Sequence, residues 1–285
     1  MRGRLAGPAT GFVPPAVGLA VGLAVVSTSS ALGTAPWLLW APLAVGLTTA
    51  SGAVLVYGFR RWTELVALHT VRVRDVAIPT AIVAVVAALG TNVTWLLPGA
   101  AHTNWRNSLL LDIALLAAIP AGGVMYGVRH IASKSPLIPS AGGQLELLLG
   151  LRRLLQRLLA AVGSLVALVT LQGAALLALE RSMNTAFGGR PPQYVLVVGA
   201  TGSLLVALVY APGWTALQSH GQRLCTQLFP LRSLNEASKI LGTAEDRQKL
   251  EVVLGVDRSM IADMQTGLII LAPLLASTAS VLLPH

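Results

Sequence analysis

Seven long apolar stretches divide this sequence along its whole length. A helix needs roughly 20 mainly apolar residues to cross the hydrocarbon core of a bilayer. Six of the stretches contain no charged residue, and the fourth contains only Asp112. They cover residues 13–33, 37–58, 77–98, 108–128, 158–179, 193–215 and 265–284. Because lipid leaves no partner for an open backbone, the pattern predicts an all-α integral membrane protein with seven transmembrane helices.

The composition agrees with a chain surrounded by lipid. Of its residues 54% are hydrophobic and 11% are charged, with a mean hydropathy of +0.72. Soluble domains carry about 25% charged residues. The net charge of +9 does not indicate nucleic-acid binding, because the cations lie between apolar stretches and do not cluster on a soluble face. The single cysteine, Cys225, excludes an internal disulfide and a cysteine-held metal cage.

The distribution of cations predicts the orientation of the chain. With the N-terminus inside, 17 of the 20 Lys and Arg residues lie in internal segments. The three external ones are Arg106, Arg181 and Arg190. The positive-inside rule therefore predicts a cytoplasmic N-terminus and an external C-terminus, and we expect the plasma membrane of a bacterium.

The first stretch has two interpretations. It follows Arg2 and Arg4 and ends among small residues, as a cleaved signal peptide would. Alternatively it is a membrane helix, since Gly18 and Gly22 form a small-xxx-small surface suited to helix packing in lipid.

A Tyr-Gly-x-Arg pattern occurs at Tyr57 to Arg60 and again at Tyr126 to Arg129. Tyr210 ends the sixth stretch in the same way. An aromatic side chain at the level of the lipid headgroups, followed by a cation, is typical of interfacial anchoring. These five residues are therefore predicted anchors. Their positions predict three helical hairpins plus a final helix, arranged as a degenerate repeat. Anchoring without a repeat is the alternative.

The internal connections 59–76, 129–157 and 216–264 are long, and we expect them to carry cytoplasmic amphipathic helices. In the first connection, apolar residues at helical spacing beside arginines predict an interfacial helix that lies on anionic lipid. In the second, a leucine-rich segment runs straight into the fifth stretch, as a long projecting helix would. It packs either on a partner helix or on the chain itself.

The third connection, 216–264, is predicted as a cytoplasmic helical segment within a single polytopic membrane domain, 1–285. Gly242 and Gly255 are predicted to end two short helices there.

No motif in the sequence indicates catalysis. It lacks a P-loop, a dinucleotide-binding glycine pattern, an HExxH zinc helix and a GxSxG nucleophile elbow. The five histidines are scattered singly, and the last stretch has no lysine for a retinal Schiff base. We therefore predict no cofactor, no metal and no catalytic residue, and we do not favour an enzyme.

Uncharged polar residues cluster in the outer halves of the odd-numbered stretches. They predict a polar cleft, with bonding between helices as the alternative. The candidate cleft residues are Ser29, Asn92, Thr94, Gln172 and Thr278.

Two further features of the fourth stretch concern transport. Pro120 with Gly122 and Gly123 is a candidate hinge, because proline removes a backbone hydrogen bond and transporters build sites at broken helices. Asp112 is a candidate intramembrane carboxylate for a proton relay. Alternatively it is an interfacial carboxylate favoured by a helix N-terminus.

The sequence leads to two functional hypotheses. The first is a channel- or permease-like protein for an uncharged or weakly charged solute or lipid. The second is a non-transporting membrane subunit or scaffold that docks a partner through its cytoplasmic helices. The expected partners are a bilayer with anionic lipid at its inner face and a helical protein or a second copy, but no nucleic acid.

Overall fold

The computed structural model describes residues 12–68, 73–92, 104–133, 140–185, 189, 193–230 and 237–256. Every regular element in this part of the chain is an α-helix, which confirms the predicted all-α class there. The helices are α1 (Val13–Ser27), α2 (Ala35–Leu68), α3 (Val73–Asn92), α4 (Trp105–Ser133), α5 (Ala141–Ser182), α6 (Gln193–Leu228) and α7 (Ala237–Leu254).

Four helices of the described chain are long and apolar enough to cross a membrane. The segments concerned are Ala35–Val66 in α2, Trp105–Ser133 in α4, Gly142–Ser182 in α5 and Tyr194–Leu228 in α6. α1 is a shorter apolar helix. The seventh predicted stretch, 265–284, lies outside the described residues, so the count of seven crossings stays a prediction.

Helix α5 joins a predicted cytoplasmic segment to a predicted membrane span. Its 42 residues extend about 63 Å at 1.5 Å per residue, about twice the thickness of a hydrocarbon core. The helix begins after Ser140, whose hydroxyl accepts a hydrogen bond from the Gly143 backbone at 3.3 Å. The predicted leucine-rich continuation of the fifth stretch is therefore confirmed as one continuous helix.

Helix α1 packs on α2 through glycines on both helices. A Cβ at Gly18 would overlap the backbone of Thr48, and one at Gly22 would stand 2.8 Å from the Val45 Cα. On α2, Gly52 lies equally close to the backbone of Pro14. The predicted packing surface on the first stretch is confirmed, because only residues without a side chain allow this approach.

Helix α4 is the centre of the bundle and contacts α2, α3, α5 and α6. The glycines of both Tyr-Gly-x-Arg patterns lie in its contact with α2. A Cβ at Gly58 would stand 2.8 Å from the Ala121 backbone nitrogen, and one at Gly127 would stand 3.0 Å from the Leu65 Cδ2. Both glycines of the pattern therefore lie in close contact between α2 and α4.

The bundle has two ends, which we name after Glu180 and Arg129. At the Glu180 end, the Arg106 Nη2 donates to the Thr28 carbonyl at 2.6 Å, joining α4 to the turn after α1. Asn104 donates to Glu180 across the same end. At the Arg129 end, a ring nitrogen of His220 lies 3.0 Å from the Ala132 carbonyl, joining α6 to α4.

Helix α7 lies at the Arg129 end and corrects a prediction. Gly242 is inside this single 18-residue helix, so the predicted pair of short helices is wrong. An interior glycine costs about 1 kcal/mol relative to alanine, which the strong helix formers that follow it can offset. Gly255 does end the helix, with a φ of +61° in the left-handed region that glycine favours.

Candidate functional site

A cavity of about 410 Å³ lies between α3, α4, α5 and α6. We name it the α3/α6 cleft. Its volume falls in the roughly 300–1,000 Å³ range of small-molecule sites. It is lined by Thr80, Val83, Ala84, Ala87, Leu111, Ala114, Leu115, Ala118, Ile119, Gly122, Met125, Tyr126, Val162, Leu165, Val166, Val169, Tyr194, Val197, Val198, Thr201, Gly202, Leu205, Val206 and Val209.

The cleft exists because small residues line its α3 and α4 walls. Ala84 on α3 and Ala118 on α4 both lie along it. A Cβ at Gly122 would meet only the Val209 Cγ1, at an ordinary 3.6 Å. Larger side chains at these positions would therefore fill the space between the helices.

The cleft follows the helix axes. On α4 its lining runs from Leu111 to Tyr126, about 22 Å at 1.5 Å per residue. A bilayer's hydrocarbon core is about 30 Å thick, so one leaflet accounts for about 15 Å of acyl chain. The cleft is therefore long enough to hold one extended acyl chain.

Among the described residues that line the cleft, none is charged and few are polar. Thr80 satisfies its hydroxyl within α3 by donating to the Val76 carbonyl at 2.7 Å. Tyr126 is near the end of α4 and Tyr194 is at the start of α6, so they line opposite ends of the cleft. Such a surface can hold a hydrocarbon chain by burial of apolar area, but it offers little to a polar solute.

One side of the cleft faces away from the bundle. Helix α3 packs mainly on α4 and barely reaches α6. Val197 and Thr201 line the cleft and are exposed at this side. In a membrane this opening would face lipid.

Of the predicted polar cleft residues, Ser29 is buried but does not line the α3/α6 cleft. Its hydroxyl accepts a hydrogen bond from the Ala31 backbone at 3.4 Å. The neighbouring Thr28 donates to the Val25 carbonyl at 2.7 Å, and Thr170 to the Val166 carbonyl at 2.8 Å. These hydroxyls are thus satisfied by nearby backbone.

Gln172 is fully buried on α5, on the face that also buries Leu165, Leu176 and Leu179. Among the described residues, neither its amide nitrogen nor its amide oxygen has a hydrogen-bond partner. An unsatisfied buried amide is destabilising. The other three predicted cleft groups, the Asn92 side chain, Thr94 and Thr278, lie outside the described residues.

The candidate hinge lies where α4 meets its neighbours. Helix α4 continues through Pro120 without interruption. Gly122 lines the cleft, whereas a Cβ at Gly123 would face Trp62 at 3.8 Å and Thr80 at 3.9 Å. Whether this segment moves stays a prediction.

The predicted anchors differ in their surroundings. Arg60 and Arg129 are exposed, whereas Tyr126 and Tyr210 are buried in the bundle. Tyr57 is half-buried, and the Arg61 guanidinium lies 5.3 Å from its ring centroid.

The carboxylates lie towards the Glu180 end. Asp112 is half-buried on α4, next to the lining residue Leu111. Glu180 is 4% exposed, and sequence reasoning missed it because it directly follows the fifth apolar stretch. Its carboxylate accepts hydrogen bonds from the Asn104 amide at 2.5 Å and the Thr185 hydroxyl at 2.7 Å.

In the described chain, no three His, Cys, Asp or Glu side chains gather as metal ligands would. Comparison with known proteins adds no relative. No family model, curated protein or solved structure matches this chain.

Proposed function

We propose that this protein is permease-like and that its substrate is a lipid, which it binds in the α3/α6 cleft. The observation that carries the proposal is the cleft of about 410 Å³ with an uncharged, almost wholly apolar lining. The lining supports a lipid over a polar solute, because a polar solute would lose its hydration without gaining hydrogen bonds.

The lipid enters from the bilayer through the side of the cleft between α3 and α6. Helix α3 is the movable wall, since it is held mainly by α4. The Pro120 to Gly123 segment of α4 adjusts the width of the cleft, because Gly122 leaves room against Val209.

In the proposed topology the chain crosses the membrane seven times, with its N-terminus in the cytoplasm and its C-terminus outside. The Arg129 end then faces the cytoplasm and the Glu180 end faces outwards. The positive-inside distribution supports this orientation, and the four long apolar helices of the described chain support a membrane location. A bacterial plasma membrane stays a prediction.

The test is to fill the cleft. Ala118→Trp places a large ring in it, and Leu116→Trp is the matched control because Leu116 is 62% exposed on the same helix. We expect Ala118→Trp to lose co-purified lipid and to stop transfer of a fluorescent phospholipid between vesicle leaflets. Leu116→Trp should retain both. Wild-type lipid content and transfer in a folded Ala118→Trp protein would contradict the proposal.

A second candidate function, a scaffold, is favoured by α7. This helix is held near its C-terminal end, where Leu254 packs with Leu148 and Leu224. Along the same helix Leu241, Val252 and Val253 are exposed. Exposed apolar side chains beside charges suit a docking helix.

The scaffold function can be tested on α7 alone. Val253→Glu should lower the fraction of associated protein in a cross-linking experiment, while leaving the lipid content of the α3/α6 cleft unchanged. Exposed Gln248→Glu serves as a control that adds the same charge on the same helix. Equal cross-linking in the wild type, Val253→Glu and Gln248→Glu would contradict the scaffold function.

A further inference from the structure

The Arg129 end of the cleft lies between the start of α3 and the end of α4. An Asp75 carboxylate oxygen and the His130 Nδ1 are 3.9 Å apart, which places the two helix ends side by side. Tyr126 lines the cleft there. Arg129 follows Tyr126 by three residues on α4, so the two side chains lie close to the same face of the helix.

Positive charge dominates this end of the cleft. Arg74, in the first turn of α3, and Arg129 are both exposed. Among the described residues neither forms an ion pair with a carboxylate. The N-terminus of α3 adds the positive end of its helix dipole. The Asp75 carboxylate also lies at this end, and it faces His130.

The opposite end of the cleft differs in charge. Asp112 follows the lining residue Leu111, and Glu180 is buried beyond it. The same end also carries the cations Arg106 and Arg181, so the apolar channel joins an end with two exposed cations to an end with both signs of charge. An anionic group is therefore favoured more at the Arg129 end than at the Glu180 end.

We propose that the ligand is an anionic phospholipid whose acyl chain lies in the α3/α6 cleft and whose phosphate binds Arg129 and Arg74 at the cleft's end. This inference rests on the proposed lipid-binding function and specifies its substrate class. The phosphate matches the guanidinium groups in charge and in hydrogen-bonding geometry. The cleft, about 22 Å long, takes a chain that starts at this end.

The experiment compares two lipids with the same acyl chains, phosphatidylglycerol and phosphatidylcholine, bound to the purified full-length protein and counted by native mass spectrometry. We expect the anionic lipid to bind more tightly to the wild-type protein. Arg129→Gln should lower its affinity about fivefold, as expected for one cation at a membrane surface. Adding Arg74→Gln should lower it by a similar factor again, with phosphatidylcholine unaffected.

The matched control is Arg153→Gln, which removes an exposed cation from α5, a helix that takes no part in the Asp75–His130 contact. It should leave both affinities unchanged. Arg129→Lys, which keeps the charge, should bind phosphatidylglycerol better than Arg129→Gln does. A thermal melt of each variant identifies any loss of affinity that comes from unfolding.

The outcomes separate this inference from the function on which it rests. If wild-type protein binds both lipids equally and Ala118→Trp loses both, the headgroup site is wrong but the lipid cleft stands. If folded Ala118→Trp still binds both lipids as wild type does, the cleft function itself is wrong. If Arg153→Gln weakens phosphatidylglycerol as much as Arg129→Gln does, diffuse surface charge replaces the proposed site.

Discussion

Gly58 on α2 lies so close to Ala121 on α4 that a Cβ at Gly58 would stand 2.8 Å from the Ala121 backbone nitrogen. The contact lies beside Pro120, whose Cβ would be 3.0 Å from the same added atom. The backbone of α2 at Gly58 therefore lies against the backbone of α4. At the same level Gly122 lines the cleft.

This contact predicts that Gly58→Ala destabilises the bundle by about 1–3 kcal/mol, as overpacking in a tight interior does. The backbone of α4 cannot move aside as a flexible side chain could. Thermal unfolding of the detergent-solubilised protein would measure the loss. Gly150→Ala is the control, since a Cβ there meets nothing within 4 Å. A Gly58→Ala protein as stable as the control would contradict the close packing.

The proposed orientation predicts which single cysteines are labelled from which side. In a Cys225→Ala background, Gln248→Cys on α7 should react with a membrane-impermeant thiol reagent only in inverted vesicles. Leu32→Cys, exposed in the turn after α1, should react only from the opposite side. The positive-inside rule places α7 on the cytoplasmic side and the turn after α1 on the external side. Labelling of both cysteines from one side would overturn the orientation.

Gln172→Leu should raise the melting temperature. The amide is fully buried with no partner among the described residues, and leaving such a group unsatisfied costs about 1–3 kcal/mol. Leucine has a similar volume and suits the leucine-rich face around it. Thr170→Val is the comparison on the same helix, because that hydroxyl is already satisfied by backbone. A lower melting temperature for Gln172→Leu would favour the originally predicted polar cleft.

Arg152→Ala should release α7 without unfolding the membrane helices. The Arg152 guanidinium donates to the Leu254 carbonyl and fills the space beside Gly255. Gln218 also holds this end of α7, donating to the Val256 carbonyl at 3.1 Å. Hydrogen exchange should therefore accelerate in α7 and stay constant in α4. The exposed neighbour Arg153→Ala should change neither, and equal exchange in the two variants would show that Arg152 does not dock α7.

Sequence reasoning located the helices of the described chain because hydropathy and helical continuity are local properties. The leucine-rich segment after Ser140 continues into the fifth apolar stretch without a proline, so one helix was predictable. The glycine surface at Gly18 and Gly22 was predictable for the same reason. The helix end predicted at Gly242 was wrong because glycine weakens a helix without preventing it.

The candidate site was decided by tertiary structure. Gly122 and Tyr126 were singled out from sequence for other roles, and neither Ala84 nor Ala118 carried any signal. Small residues make a cleft only where several helices place them opposite one another, which depends on how each helix is rotated and shifted against its neighbours. The same rotation buries Gln172 among leucines and Glu180 beside Asn104. Periodicity along one helix shows which residues share a face, but the neighbour that covers that face is set by contacts between residues far apart in the chain.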